Sequence, residues 1–113
     1  VFNIFIHCFE NSNRLYEFYG ATKYDIRKIV PLRNELTEKL NKLKNLNQLE
    51  DFQNHIEQIF LGSEFLEKLQ KHDQNWKDRW SHYRDKLIEV NKGLIAITDM
   101  CLDEQRVLWV IGY

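Results

Sequence analysis

Residues 76–84, WKDRWSHYR, include the residue types that bind single-stranded nucleic acid, and they are called here the Trp/Arg segment. Aromatic side chains can stack on bases while neighbouring cations pair with phosphates. Its aromatic members are Trp76, Trp80 and Tyr83, and its basic members are Lys77, Arg79 and Arg84. The aromatic residues also begin a longer apolar pattern, which favours a place in a helical core. An intermediate interpretation is that they line an open groove for a partner's helix.

Charge is sorted along the chain, although the formal net charge is only −1. Residues 22–46 carry seven basic and three acidic side chains, residues 48–73 carry two and six, and residues 74–98 carry five and three. This alternation favours pairing between consecutive helices. The basic first stretch also supplies the cations of an alternative nucleic-acid site, namely Lys23, Arg27, Lys28 and Arg33, to which Lys77 is added.

Motifs for metal binding or catalysis do not occur in this sequence. The histidines, His7, His55, His72 and His82, form no i, i+4 pair and no Glu-x-x-His pair, the usual helical metal motifs. No GxSxG, GxGxxG or P-loop pattern occurs, and the four glycines are few for such loops. We therefore expect no metal, no cofactor and no enzymatic activity.

The two cysteines, Cys8 and Cys101, form no CxxC motif. They are predicted to be buried thiols in a reducing compartment, the cytoplasm, with a disulfide between them as the alternative. No apolar run reaches the roughly 18–20 residues that a membrane span needs. If the apolar ends, VFNIFIHCF and RVLWVIGY, are parts of longer helices, the domain would instead lie between two membrane spans.

The elements that must position these residues are predicted to be helices. Eight residues are spaced alternately by four and three positions, a repeat that only an α-helix returns to one face; they are Trp76, Trp80, Tyr83, Leu87, Val90, Leu94, Ile97 and Cys101. We call this set the seam, and it predicts a buried helix face over residues 74–101. Asp73 is expected to cap that helix, and Gly93 to mark a close helix–helix approach.

Two further helices are predicted, over residues 22–46 and 48–72. Thr22 is the expected cap of the first, whose buried positions are Ile26, Ile29, Leu36, Leu40 and Leu43, with Arg33 as a polar member. Pro31 would either open the main part of that helix or kink it. Gly62 and Ser63 interrupt the second helix, and Ser63 can cap its continuation.

The chain ends are less determined by their pattern. Residues 1–9 fit either a strand buried on both faces or a short buried helix. A short helical turn is expected at Leu15–Tyr19. The tail RVLWVIGY is expected to be a final short helix, although the two apolar ends could instead pair as a two-stranded ribbon.

These observations predict one all-α domain over residues 1–113. Its architecture would be an antiparallel three- to four-helix bundle with heptad-like seams, across which the apolar terminal segments pack or pair. The predicted function is a non-catalytic protein–protein interaction module, either a scaffold or adaptor or a self-associating domain. Its partner site would comprise Trp76, Trp80, Tyr83, Arg79 and Arg84. The alternatives are a nucleic-acid-binding helical domain and, third, a helical sensor domain between membrane spans.

Overall fold

The computed structural model describes residues 2–112, which fold into a compact and mostly helical domain with a small sheet. The α-helices are α1 (Ile6–Ser12), α2 (Ile26–Lys44), α3 (Leu49–Glu57), α4 (Gly62–His72) and α5 (Trp80–Asp103). The strands are β1 (Ala21–Tyr24) and β2 (Leu108–Ile111), and short 3-10 turns span Phe2–Ile4 and Trp76–Arg79. The prediction of a mainly helical domain is confirmed, and the sheet is an addition to it.

Helix α2 begins later than the sequence predicted and is capped by a different residue. Thr22 lies in β1, and Asp25 is the N-cap, where its Oδ1 accepts a hydrogen bond from the Arg27 backbone N–H at 3.0 Å. Pro31 lies inside a continuous helix rather than at its first position. Ile29 and Leu32, on either side of Pro31, are fully buried, so their packing offsets a cost of about 3 kcal/mol for an internal proline.

The predicted helix 48–72 is two helices, α3 and α4. The chain turns between them at residues 58–61, where Leu61 has a positive φ of 59° and is the N-cap of α4, so Ser63 is not the cap. Gly62 follows because a Cβ at this position would overlap the carbonyl oxygen of Ile56. The break in the helical pattern was therefore visible in the sequence, but its cap was assigned incorrectly.

Helix α5 follows the seam at Leu87 and Cys101, which are buried, but between them it turns a different face to the core. Val90 and Ile97 are 39% and 43% exposed, whereas Asn91 and Thr98 are almost fully buried. Asp73 does not cap this helix, because a 3-10 turn separates them; its Oδ1 accepts from the Asn75 backbone N–H at 3.0 Å. The buried face is thus displaced by one residue from the seam over the middle of α5.

The tail forms strand β2, not the helix that was expected. Helix α5 ends with Gln105 in the left-handed region, at φ 54°, and the Arg106 N–H donates to the Cys101 carbonyl at 2.8 Å, the pattern of a Schellman motif. β2 then pairs antiparallel with β1, with Thr22 opposite Val110. The alternative prediction, a ribbon formed by the two chain ends, named the wrong partner for the tail, because residues 2–12 are helical. Residues 14–20 form turns where the sequence predicts a short helical turn.

The core is one cluster of buried side chains to which all five helices and both strands contribute. The first segment contributes Ile4, Phe5 and Cys8, all fully buried, and Tyr24 from β1 donates its hydroxyl hydrogen to the Phe9 carbonyl at 2.6 Å. An ion pair between Arg33 and Asp99 joins α2 to α5.

Within residues 2–112 no helix combines the length and apolar character needed to cross a lipid bilayer.

Candidate functional site

The aromatic side chains of the Trp/Arg segment point into the domain. Trp76 is 2% exposed, and its Nε1 donates to Gln70 Oε1 at 2.8 Å. Trp80 is half-buried against Phe52, with ring centroids 6.0 Å apart. The aromatic residues therefore contribute to packing between α3, α4 and α5 and do not form a stacking platform in solvent.

The cations of the same segment are also engaged within the chain. Arg79 pairs with the Asp73 carboxylate at 2.7 Å, and Tyr83 donates to the same carboxylate at 2.8 Å. The hydrogen bond from Arg79 and, to a smaller extent, the one from Tyr83 lower the pKa of the Asp73 carboxyl group. Arg84 stacks on Trp80, with its guanidinium carbon 5.1 Å from the ring centroid, and donates to a backbone carbonyl at 2.8 Å. All five residues predicted to bind a partner thus make intramolecular contacts.

The residues of the alternative nucleic-acid site lie on three different elements. Lys23 is in β1, Lys77 is in the 3-10 turn, and the other three, Arg27, Lys28 and Arg33, are in α2. The Nζ of Lys77 lies 5.9 Å from the ring centroid of Trp76. Arg27 pairs with Asp25 at 3.2 Å, and Arg33 pairs with Asp99. Two of the five cations are therefore already matched with carboxylates.

A buried lysine on α2 forms a polar site that sequence reasoning missed. Lys39 is 2% exposed, and its Nζ lies 2.7 Å from Nε2 of His55 on α3. For Nζ to donate, that ring nitrogen must carry a lone pair. Burial, reinforced by Lys39, lowers the pKa of His55 to about 4, so the ring is neutral at pH 7. Burial likewise lowers the pKa of Lys39 to about 8.

A cavity of about 390 Å³, called here the lysine cleft, opens beside this pair between α1, α2 and α3. Its polar lining comprises His7, Glu10, Lys39, Lys42, His55 and Gln58, and its apolar lining comprises Ile6, Ile59 and Phe60. The neighbouring Cys8 thiol has its pKa raised to about 12 by burial, so it stays protonated. A sequence signal for the site existed, because Lys39 falls on the buried repeat of α2, three residues after Leu36 and four before Leu43.

A second cavity, of about 210 Å³, is almost entirely apolar and is called here the apolar groove. Its walls come from α1, α2, α5 and β2 and include Phe9, Leu32, Leu36, Leu94 and Val110. Its rim is open to solvent: Phe2 is 41% exposed, Ile97 43%, and Trp109 and Ile111 each 59%. The strand register places Lys23 opposite Trp109 on the outer face of the sheet.

Neither a metal site in the described residues nor a similar known protein indicates the function of this chain. Among residues 2–112, no group of three or more His, Cys, Asp or Glu side chains is arranged to hold a metal ion. Comparison with protein-family models, with curated proteins and with solved structures gave no match to this chain. Function must therefore be inferred from the lysine cleft and the apolar groove.

Proposed function

We propose that this chain is a non-catalytic protein–protein interaction module that receives an apolar segment of a partner in the apolar groove. The observation that carries the proposal is the exposed rim, in which Trp109 and Ile111 are each 59% exposed beside an apolar cavity. Apolar surface gathered around a groove usually marks an interaction site, whereas single exposed apolar residues do not. Tryptophan is also enriched among the residues that dominate binding energy at protein interfaces.

The composition of the groove favours a protein segment over a nucleic acid. Thr98 is the one polar side chain among its lining residues, so phosphates would find few partners there. The sheet has two strands, so each has one edge without a neighbouring strand in the part of the chain described here. An extended partner segment could add to such an edge while its side chains enter the groove.

The bundle architecture belongs to the same proposal. Arg33, in the first half of α2, pairs with Asp99 near the end of α5, and Arg84, near the start of α5, donates to the carbonyl of Leu46, just after α2. These two contacts support an antiparallel arrangement of α2 and α5. Spin labels at Asn34 and Ala96 should then be closer than labels at Asn34 and Glu89, and the reverse order would contradict the arrangement.

We also propose a reducing compartment, the cytoplasm, for this domain. Cys8 and Cys101 are both buried and unpaired, as the sequence predicted, and free thiols persist where the glutathione pool keeps them reduced. Mass spectrometry of protein isolated from its source cells with thiols blocked at lysis should find both cysteines in the reduced form. A native crosslink between them would contradict the proposal.

Partner capture with matched variants tests the interaction function. The double variant Trp109→Ser and Ile111→Ser removes the apolar rim, while Tyr19→Ser is the control, because Tyr19 is 79% exposed and does not line the groove. Tagged proteins are incubated with nuclease-treated lysate of the source cells, and bound proteins are identified by mass spectrometry. A partner retained by wild type and by Tyr19→Ser, but lost from the double variant, is the expected result.

Sedimentation of the purified proteins distinguishes self-association from binding to another chain. If the partner is a second copy, wild type should show a concentration-dependent increase in mass that the double variant lacks. If the double variant captures the same proteins as wild type and has the same mass, the groove is not the interaction surface.

A further inference from the structure

We propose that the lysine cleft is a binding site for a small organic acid, whose carboxylate lies against Lys39 and Lys42. The site is separate from the apolar groove and does not depend on the proposed interaction function. Three features carry the inference: an ammonium buried without a carboxylate partner, a second lysine facing the same cavity, and an apolar wall beside both.

The ammonium of Lys39 is the first feature. Lys39 is 2% exposed, and among residues 2–112 it takes part in no ion pair with an acidic side chain. Its hydrogen-bond partner is the neutral ring of His55, at 2.7 Å. A charge removed from water and matched only by a neutral acceptor is unfavourable, and lysine is rarely so buried without a paired anion. A carboxylate entering the cleft supplies that anion.

The charge balance of the cleft is the second feature. Lys42 lies one helical turn beyond Lys39 and lines the same cavity, to which Glu10 of α1 contributes a single negative charge. His7 and His55 are neutral at pH 7 because burial lowers the pKa of each. Among the residues that line this cavity the lysines exceed the acids by one charge, and Glu35 and Glu38 add negative charge in an adjoining cavity lined by the same lysines. A monoanion therefore matches the cleft better than a phosphate dianion does.

The shape and lining of the cleft are the third feature. Its volume of about 390 Å³ falls within the range of about 300–1,000 Å³ that is typical of small-molecule sites. Ile6, Ile59 and Phe60 provide an apolar surface beside the lysines. A ligand with an anionic head and a hydrocarbon body therefore satisfies both parts of the lining, whereas an inorganic anion would satisfy only the polar part.

Calorimetry with simple acids tests this assignment. The probes are hexanoate and benzoate, which combine a carboxylate with a hydrocarbon part. Acetate and inorganic phosphate serve as anions without a sizeable apolar part, and hexanamide serves as the neutral counterpart of hexanoate. Hexanoate or benzoate should bind more tightly than acetate or phosphate, and hexanamide should not bind at millimolar concentration. Lys39→Met should weaken binding about tenfold to hundredfold, as expected for a charge-assisted hydrogen bond.

Two variants of exposed residues keep the test valid if Lys39→Met folds poorly. Lys42→Gln should weaken hexanoate binding by up to about fivefold, as for a partly solvated ion pair. Lys44→Gln, on the same helix and outside the cleft, should bind like wild type. The groove variant carrying Trp109→Ser and Ile111→Ser should also bind hexanoate like wild type, which separates the two proposals.

Proton uptake gives a readout specific to Lys39. The titratable groups that line the two cavities beside Lys39 are His7 and Glu10 from α1, Glu35, Glu38 and Lys42 from α2, and His55 from α3, and the Cys8 thiol of α1 lies near its amine. A bound carboxylate stabilises the charged amine, so binding near pH 8.5 should take up protons. This would be seen as a binding enthalpy that changes with the ionisation enthalpy of the buffer, and Lys39→Met should lose the effect.

Three results would overturn the proposal. The first is no binding of hexanoate or benzoate to wild type at millimolar concentration. The second is binding that neither Lys39→Met nor Lys42→Gln weakens. The third is phosphate binding more tightly than both organic acids, which would leave a general anion site in place of the proposed one.

Discussion

Lys39 shows how a single residue can place a charge in the core of a small domain. The helical repeat of α2 turns it inward between Leu36 and Leu43, both fully buried, and its amine reaches only the neutral ring of His55. Such a residue lowers the free energy of unfolding, because the ammonium loses its hydration in the folded state. A buried charge of this kind is typical of a functional site, and removing it should increase stability while abolishing ligand binding.

The first prediction is that Lys39→Met stabilises the protein at neutral pH. The folded-state pKa of about 8 lies below the ordinary value of 10.5, so the unfolded state binds the proton more tightly. Below pH 8 wild type bears the full cost, which a shift of this size puts at about 3 kcal/mol. Between pH 8 and 10.5 wild type should gain stability relative to Lys39→Met as the folded-state amine loses its proton.

Denaturant unfolding of both proteins at pH 7 and pH 10 measures this difference. The thiol of Cys8 and the hydroxyl of Tyr24 also titrate abnormally, since burial raises the pKa of each to about 12, but both residues are present in wild type and variant. Lys39→Met being less stable than wild type at pH 7, or a difference that does not shrink at pH 10, would contradict the prediction.

The second prediction concerns Asn91, which lies on the buried face of α5. Its side chain is completely buried, and neither its amide nitrogen nor its oxygen has a hydrogen-bond partner within the described residues. Replacement of the unsatisfied amide by an apolar side chain of similar size should be favourable. We expect Asn91→Leu to raise the free energy of unfolding by about 1–3 kcal/mol.

Asn34→Leu is the matched control, because Asn34 is exposed on α2. Its effect should stay within about 0.5 kcal/mol. Thermal and urea melts of the two variants beside wild type would measure both effects. A loss of stability for Asn91→Leu would indicate that the amide makes a favourable contact in the folded protein.

At the scale of elements, α5 shows that a helix and its buried face are determined separately. The regular spacing of apolar residues identified the helix and the burial of Leu87 and Cys101, yet between these two residues α5 buries Asn91 and Thr98, which are not in the seam. An α-helix has 3.6 residues per turn, so a strict 3.5-residue pattern drifts around a straight helix by about 20° in each heptad. The actual neighbours, chiefly α2, then decide which residues along the drifting stripe are covered.

The third prediction compares two members of the seam on α5. Leu87 is 4% exposed, so Leu87→Ala should destabilise the protein by about 2–5 kcal/mol. Val90 is 39% exposed, and Val90→Ala should change stability by less than about 0.5 kcal/mol. Denaturant melts of the two variants provide the measurement, and similar losses at both positions would mean that the seam is the buried face after all.

The fourth prediction compares two glycines that differ in their surroundings. A Cβ at Gly93 would meet no atom within 4 Å, so Gly93 does not mark the close helix approach that the sequence suggested. Gly93→Ala should therefore stabilise α5 by about 0.5–1 kcal/mol through its better helix propensity. Gly62→Ala should instead destabilise the protein by about 1–3 kcal/mol, because its Cβ would overlap the Ile56 carbonyl.

Calorimetric melts of the two glycine variants would measure the effects in parallel. Both substitutions add the same methyl group within a helix, so propensity alone would raise stability in each. Equal and positive changes would therefore show that the α3–α4 junction can relax around an added side chain.

For the molecule as a whole, α2 separates two surfaces of different chemistry. Leu32 and Leu36 line the apolar groove, whereas Lys39 and Lys42, further along the same helix, line the lysine cleft. Helix α1 is divided in the same way, with Phe9 at the groove and His7 at the cleft. The two cavities therefore share helices but no lining residue, which is the basis of the variants proposed above.

The fifth prediction is that the domain does not bind single-stranded nucleic acid at micromolar concentration. The aromatic rings of the Trp/Arg segment face inward and Arg79 and Arg84 are engaged within the chain, so base stacking and phosphate pairing have few available groups. Fluorescence polarisation with labelled RNA and DNA at low and moderate salt would detect binding. Affinity that falls steeply with salt would support the nucleic-acid alternative in place of the interaction module.

Tryptophan emission provides an independent check on the same segment. Trp109 is 59% exposed and should be quenched by iodide, so the measurement uses Trp109→Phe. In that variant Trp76, 2% exposed, and the half-buried Trp80 should emit at short wavelength and be protected from iodide. Strong quenching in Trp109→Phe would indicate that the segment opens in solution.

What the sequence determined by itself was local. The spacing of apolar residues identified the mainly helical character, Gly62 marked the break between α3 and α4, and the isolated cysteines pointed to buried free thiols. These features depend on residues within about one helical turn of each other, where propensity, capping and periodicity act. The inward direction of Trp76 followed from the same periodicity.

What only the tertiary structure decided was how distant segments meet. The tail became a strand because residues 21–24 supply its hydrogen-bonding partner, and no local pattern identifies a strand's neighbour when the paired residues are 84 to 90 positions apart. The buried face of α5, the enclosure of Lys39 by α1 and α3, and the groove rimmed by Trp109 likewise depend on contacts between remote elements. Whether a given lysine or tryptophan is an ordinary surface residue or part of a candidate site depends on its burial, and burial is a property of the assembled core.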